Sequence, residues 1–462
     1  MTTARTGSAP RLDLADIQGD ILQAYGNRYL HTSYVFVGIA DAAAGRAWLS
    51  EHVDRVTTAV RWNGDRPQST FNIALTCSGV GALGVPPATI ETFSNEFRQG
   101  MGARAAELGD VGANASEHWD PGLGTGEAHI LVTINALDRA ALEPALTELR
   151  DGVAHAGLSI VHEDHAELFS KSREHFGFAD GFSQPAIEGV SDADAARGEG
   201  VPEPNGWRPL ALGEFLLGHE DEESRTDPKR RLPSAPADPL GRNGTYMVWR
   251  KLKEDVALFR RTIRDAAGLY EDGDDAKLLA KVVGRWQNGA PLVNAPDAPP
   301  AGFDPKAPGT NNFRYSSDPK GFACPLGAHI RRSNPRDALG FDGKLSFRHR
   351  IIRRGMPYGP ELPPGVTEDD GQDRGLVFVG LAASISRQFE SIQRQWLNDG
   401  NSFHLGADSD FLLGAPSGKM TIQGEPPFFL APQGPFVMMR GGEYLFVPGI
   451  TALAAIADNV AG

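Results

Sequence analysis

The order of apolar segments in the first 170 residues most constrains what this chain can fold into. YVFVGI at 34–39 is a short run of β-branched and aromatic residues, the pattern of a buried strand. Asp41 is placed to cap a following helix in which Trp48, Leu49, Val53 and Val56 share one face. Residues 70–76 read as a second strand, 86–97 as a helix, and 129–134 as a third strand. Leu142, Ala145, Leu146 and Leu149 then form a helical stripe, with Pro144 complicating its start, and 158–162 is a fourth strand. Strand, helix, strand, strand, helix, strand is the split βαβ, ferredoxin-like order.

After a Pro-, Gly- and acid-rich stretch at 190–242, the pattern restarts. TYMVW at 245–249 leads into a helix carrying Leu252, Val256, Phe259 and Ile263, and another helix spans 275–286. LVFVGL at 376–381 echoes the first strand and feeds a helix with Ile385, Phe389, Ile392 and Trp396 on one face. Residues 435–439 and 444–448 suggest a hairpin about Gly441 and Gly442. The expected fold is α+β: two ferredoxin-like modules, antiparallel sheets with peripheral helices, at 1–190 and 244–462. Residues 191–243 form an insertion between them. The loop at 170–189 is then expected at the seam, where pockets favour forming.

Composition narrows the partners. A net charge of -14 argues against nucleic acid, which needs a basic face. Two cysteines, Cys77 and Cys324, make neither a disulfide framework nor a cysteine-based zinc site. The first 22 residues lack an apolar signal core and a twin-arginine pair, and no apolar run approaches the ~20 residues of a membrane span. A cytoplasmic protein is the expectation, with secretion by another route left open.

Basic residues instead concentrate locally, in CPLGAHIRRSNPRD at 324–337 and HRIIRRG at 349–355. That pattern suggests an anionic ligand, and haem propionates or a phosphate would both fit. His329 is the one histidine in the first stretch. A structural, hydrogen-bonded histidine is the bland reading, and zinc lacks a second ligand cluster. In IIRRG the apolar lead suggests a strand that carries Arg353 inward, where a guanidinium needs an anionic or polar partner. In EHFGFADGFSQP at 174–185, Gly177 and Gly181 flank Phe178 and Asp180, allowing a tight turn that holds a carboxylate between aromatics. An Asx-turn is the bland reading of Asp180.

Taken together, GFADG, CPLGAHIRRSNPRD and IIRRGMPYG resemble the dye-decolourising peroxidases. So do DIQGDIL at 16–22, GEFLLG at 213–218, GTYMVWRKL at 244–252, VGRWQNGAPL at 283–292 and GLVFVGL at 375–381. The resemblance runs in order along nearly the whole chain, and the long insertions are similar to those of the larger bacterial and fungal members.

The resemblance implies two modules of the dimeric α+β barrel type with haem b in the second. It implies His329 as proximal iron ligand, Asp180 as distal acid–base residue and Arg353 as distal arginine. Asn334 and Arg336 would lie at the haem edge, Arg336 pairing a propionate. Leu376 and Phe378 would line the distal pocket beside Gly177 and Phe178. Asp410 is the choice for the carboxylate behind His329, with Asp408 as the alternative. Where the family carries Phe or Leu after Gly-Phe, this chain has Ala179, which leaves more room at the distal entrance.

The activity so implied is reduction of hydrogen peroxide with oxidation of phenolic or dye-like one-electron donors. An unperturbed aspartate ionises near ~3.9, so Asp180 as base favours acidic pH. Donors too bulky for a peroxide-sized pocket would give electrons through a surface Trp or Tyr, or through the propionate edge. Seven tryptophans and eight tyrosines are candidates. Glu220, Asp221, Glu222, Glu223, Glu254 and Glu271 could bind Mn2+ as a reductant, although a solvated acidic loop is the simpler reading. The rival functions are a haem carrier or deferrochelatase of the same fold, and a haem-free module that binds an anionic metabolite.

Overall fold

The computed structural model describes residues 12–25, 28–169, 173–227, 235–270, 274–414 and 419–461. Four strands come from the first half: β1 (His31–Gly38), β2 (Ser69–Leu75), β3 (Ile130–Ala136) and β4 (Ser159–Glu167). The second half supplies β5 (Thr245–Glu254), β6 (Ile352–Arg353), β7 (Met356–Tyr358), β8 (Gly375–Ala382) and β9 (Val437–Val447). They form one antiparallel sheet in the order β4-β1-β3-β2-β9-β5-β8-β6, with β7 also paired to β8. With β6 and β7, which both pair with β8, counted as one interrupted strand, each half has the strand order last, first, third, second, and the halves join where Leu75 faces Phe446.

The strands alternate as a two-faced sheet should. Phe36, Trp249, Val379, Leu381 and Leu445 point into one core, between the halves. The opposite face carries Val35, Val37, Ile73 and Val132, covered by helices α1 (Ala42–His52) and α2 (Arg139–His155). Asp41 caps α1 by accepting the Ala44 N–H at 2.8 Å, and Asp138 caps α2 the same way through Ala141. α2 starts ahead of Pro144 and runs through it. Burial of Leu142, Leu146, Leu149 and Val153 on its inner stripe outweighs the one missing main-chain bond.

Three expectations are corrected. YVFVGI and LVFVGL are not equivalent strands: the first lies in β1, the opening strand of its half, and the second in β8, the third strand of its own. Both are interior strands paired on two sides, and that shared burial gives them the same apolar texture. Leu252 lies in β5, not in the helix after it, because β5 stays paired to β8 as far as Lys253 and to β9 as far as Glu254. α3 (Val256–Ala267) starts only after Asp255 caps it. The expected hairpin at Gly441 is one strand, β9, with a bulge between Met439 and Gly441.

Among the described residues, no helix is long and apolar enough to cross a membrane.

Candidate active site

On the outer face of β5, β8 and β9, a cavity of about 370 Å³ is closed by the loop 174–185 and by the short helix α5 (His329–Ser333). Its size is that of a cofactor pocket. His329 opens α5, which stops at Asn334 because the residue before Pro335 avoids helical dihedrals. The imidazole lines the cavity, and its Nδ1 lies 3.0 Å from Asp410 Oδ2. Asp410 is fully buried, and its other oxygen accepts the N–H groups of Leu412 and Leu413 at 3.0 and 2.9 Å. Burial works against charge on this pair. The mutual attraction outweighs it, holding the Asp410 carboxyl below the usual range and His329 above its own. Nε2 is thus the ring nitrogen open to a metal. Asp408 turns elsewhere, to Lys419 at 2.9 Å and Thr421 at 2.7 Å.

Arg353 and Asp180 belong to the same cavity. Arg353 reaches it from the two-residue strand β6, paired with Gly380 of β8. Its Nη1 donates to Asp180 Oδ1 at 3.1 Å and its Nη2 to the Ser183 carbonyl at 3.0 Å. Gln184 holds the main chain of Arg353 on both sides, accepting its N–H at 3.0 Å and donating to its carbonyl at 3.1 Å. Burial raises the Asp180 pKa, but the charge and hydrogen bond of Arg353, the Gly181 N–H and the Arg285 charge together outweigh it and hold the carboxyl below the usual range.

The turn that delivers Asp180 needs its glycines: Gly177 and Gly181 have φ of +95° and +78°. Phe178 is buried in the cavity wall, its N–H held by Glu174 Oε1 at 2.7 Å. Ala179 is pinned through its own N–H to the Gln287 carbonyl at 2.9 Å. Leu376 and Phe378 face the cavity from β8, and Asn334 from the end of α5.

Of the arginines that follow His329, Arg331 and Arg332 are not aimed at a ligand. Both are fully buried and fasten protein groups: Arg331 the Cys324 carbonyl at 2.8 Å, Arg332 the Trp396 carbonyl at 2.9 Å. Arg336 is different. Its Nη1 donates to the carbonyls of Gly198 and Phe313, while Nη2 is buried at the cavity wall with no partner. Its backbone sits at φ +52°, a strained conformation for a side-chain-bearing residue. Burial lowers its pKa to about 10, so it stays charged at neutral pH.

The cavity also holds residues the sequence did not single out. Glu174 lies in its wall, and burial, with Asp180 nearby, pushes its carboxyl up to about 7. Arg250 bonds Asp110 at 2.5 Å and lies 5.6 Å from the Phe389 ring centroid. The alternation of Arg250, Leu252 and Glu254 along β5 was a signal that they share a face. Arg285 was not: its side chain comes from a loop after α4 (Asp275–Val283), and only the tertiary fold brings it in.

The acidic residues do not converge. Arg348 binds Asp221 and Glu223, both at 2.6 Å, and Arg208 binds Glu222 at 2.7 Å. Glu220 is exposed, Glu254 lines the cavity, and Glu271 lies outside the described residues.

One open imidazole nitrogen, apolar side walls, an unpartnered buried guanidinium N–H for a carboxylate and an acid–base pair across the space suit haem. Comparison with known proteins agrees. Residues 16–168 match the family model of the DyP dimeric alpha+beta barrel domain. Multifunctional dye peroxidase DyP2 of Amycolatopsis sp. is 31% identical over 98% of this chain and 97% of its own. The structure of an ancestral D-type dye decolorizing peroxidase superposes with a TM-score of 0.80 at 30% identity, covering 96% of this chain and 98% of that one. A dye-decolorizing peroxidase in complex with 2,6-dimethoxyphenol superposes with a TM-score of 0.79 at 27% identity, covering 96% and 100%. Likeness at this identity along almost all of both chains goes beyond a shared fold: the chain belongs to the dye-decolourising peroxidases, haem enzymes that reduce hydrogen peroxide at the expense of aromatic donors.

Proposed function

We propose that the prosthetic group is haem b, which His329 would hold through Nε2, with Asp180 and Arg353 in the same cavity as the acid–base pair. The observation that carries this reading is the cavity itself, which has the Asp410-held imidazole and the Asp180–Arg353 pair in one wall system. Covalent attachment through paired cysteines is ruled out by the sequence: Cys77 and Cys324 lie far apart in the chain, and neither belongs to a C-x-x-C-H motif. Arg336 Nη2 is the donor for a propionate.

When bound, the iron supplies the redox centre for cleavage of the peroxide O–O bond. Asp180, kept ionised by Arg353, takes a proton from one peroxide oxygen and returns it to the other, a positioned acid–base transfer worth roughly 10²–10⁴-fold. Arg353 offers fixed N–H donors to the charge that develops, an effect of about 3 kcal/mol in comparable sites. Phe178, Leu376 and Phe378 keep that space apolar.

For donors too bulky to enter, Trp207 is the relay this reading favours. It is half-buried, its Nε1 donates to Asn312 at 2.7 Å, and its ring centroid lies 5.8 Å from the Arg336 guanidinium at the cavity wall. Three of the acids considered for Mn2+, Asp221, Glu222 and Glu223, are engaged by arginines, and the reading assigns the electrons to aromatic compounds.

The test is an absorption spectrum of the purified enzyme, its pyridine haemochrome, and the response to one equivalent of peroxide. Parent protein should give a haem b haemochrome and a prompt Soret change. His329→Ala should lose normal haem ligation, and Asp180→Asn should keep the haem but slow the peroxide response. A double Asp180→Asn, Arg353→Leu variant with undiminished turnover would refute the assignment.

A further inference from the structure

A second chamber, of about 110 Å³, lies on the inner side of the sheet beside β6. Asp180 and Arg353 are in its wall as well as in that of the haem cavity, so the two spaces meet at the distal pair. Its far wall comes from the start of the chain, Asp20 and Tyr25, with Arg354 alongside. Arg354 donates to the main-chain carbonyls of Asp20 and Ile21, at 2.9 and 3.0 Å. Asp20 is only 7% exposed and Tyr25 5%, yet Asp20 Oδ1 and the Tyr25 hydroxyl have no hydrogen-bond partner in the protein. Leaving such atoms bare costs about 1–3 kcal/mol each, and water in the chamber would satisfy them. Ala24 and Gly355, also in the wall, are exposed, so the chamber opens outwards.

The stoichiometry of the reaction gives this space a task. Reducing hydrogen peroxide to two waters consumes two electrons and two protons. A donor oxidised at the surface sends in its electron and leaves its proton in bulk solvent, so the protons need a separate path to the distal side.

We propose that Asp20, through water in this chamber, supplies those protons to Asp180. Each proton taken by the Asp20 carboxylate from solvent passes along the water to Asp180, and Asp20 is reloaded from outside, so neither residue is changed over a turnover. The proposal rests on the reading of Asp180 as the distal acid–base residue. Burial outweighs the charge of Arg354 and pushes the Asp20 carboxyl up to about 6, so it exchanges protons in the mildly acidic range. The other charged and titratable groups around the same chamber are Tyr25, Tyr34, Arg354, Arg173, Glu174, Asp180 and Arg353.

Ferrocyanide, which gives an electron and no proton, is the discriminating donor for the haem-loaded enzyme. Asp20→Asn should turn over ferrocyanide at least about tenfold more slowly near pH 6, with a larger solvent isotope effect, while its peroxide-driven Soret change keeps the parent rate. Asp20→Glu, which retains an acid, should restore turnover. In the haem-free protein, infrared spectra should show a protonated-carboxyl band that titrates near pH 6 and is missing from Asp20→Asn. Unchanged ferrocyanide turnover in Asp20→Asn, an equal slowing of the peroxide step, or no such band would each overturn the proposal. Asp180→Asn separates the parent reading: it should slow the peroxide step, which Asp20→Asn leaves alone. If it does not, the reading of Asp180 falls, and the relay with it.

Discussion

Arg353 Nη1 lies 3.1 Å from Asp180 Oδ1, although the two residues are 173 positions apart in the chain. The loop that carries Asp180 comes from the end of the first half and the strand that carries Arg353 from the second, so the Asp180–Arg353 pair exists only when both halves are packed. The cation's effect on the carboxyl has a direct kinetic consequence. Asp180 titrates below the ordinary carboxylate range, so the peroxide step should persist to lower pH than an unassisted aspartate would allow. Arg353→Leu removes the charge that depresses this pKa. The acid limb of the rate profile should move to higher pH, and the rate at its plateau should fall by roughly 10²–10³-fold. Stopped-flow measurement of the peroxide step against pH checks both.

Behind His329, the Asp410→Asn variant tests the carboxylate. Asp410 serves three N–H groups, those of His329, Leu412 and Leu413. An amide has one acceptor oxygen, so either the imidazole or the Leu412–Leu413 pair loses its partner. The stability cost should be about 1–3 kcal/mol, read by chemical denaturation of the haem-free protein. The imidazole also loses its anionic partner, so the reduction potential of the haem-loaded enzyme should rise and haem affinity should fall, by about 10–100-fold.

Stability should decrease as pH rises from about 7 to 8. This window lies above the range, centred at about 6.5, where the unfolded chain releases the protons of His52, His129, His175, His219 and His349, which burial keeps neutral in the fold. Burial pushes Glu174 up to about 7 and Glu443 up to about 8, so in the fold both hold protons that the unfolded chain has already released. A folded state that binds more protons loses stability as pH increases through that window. The carboxyls held low, such as Asp180 and Asp410, are ionised in both states there and add no slope. Urea denaturation at the two pH values is the measurement. Glu174→Gln should flatten the part of the slope centred near pH 7.

Gly177→Ala should disturb the distal loop without touching a ligand. The backbone there is at φ +95°, and an added Cβ would approach Gln287 Nε2 to 2.6 Å. The amide can swing aside, but the backbone strain remains, at about 1–2 kcal/mol. The expected result is a lower melting temperature together with a slower peroxide step, because Asp180 lies three residues further along the same turn.

Trp207→Phe should separate donors by size. It removes the indole beside Arg336 and leaves the cavity walls unchanged. Turnover of a bulky anthraquinone dye should fall several-fold, while the peroxide step stays at the parent rate. Equal turnover of the dye by both proteins would move the relay elsewhere.

Much of this was legible in the residues. The alternation and helical spacing of apolar side chains, set by backbone periodicities of two and 3.6, were enough to give two copies of one α+β module. The motifs carried by the resemblance named His329, Asp180, Arg353 and Arg336, and the fold brings all four to one cavity. Where local pattern and pairing disagreed, local pattern lost: LVFVGL resembles YVFVGI only because both strands are buried, and Leu252 keeps to β5 because two neighbours pair with it.

What the sequence could not give was which charges meet. Arg331, Arg332 and Arg336 are alike in the chain, and each binds main-chain carbonyls and leaves one N–H unpartnered, yet of the three only Arg336 lies in the cavity wall. Asp408 and Asp410 are two residues apart, and only the packing of their loop on α5 sends Asp410 to His329. Side-chain type follows from the sequence alone. Hydrogen-bond partner, burial and proton affinity depend on distances across the fold, and tertiary structure decides those, including the chamber that brings Asp20 near the distal pair.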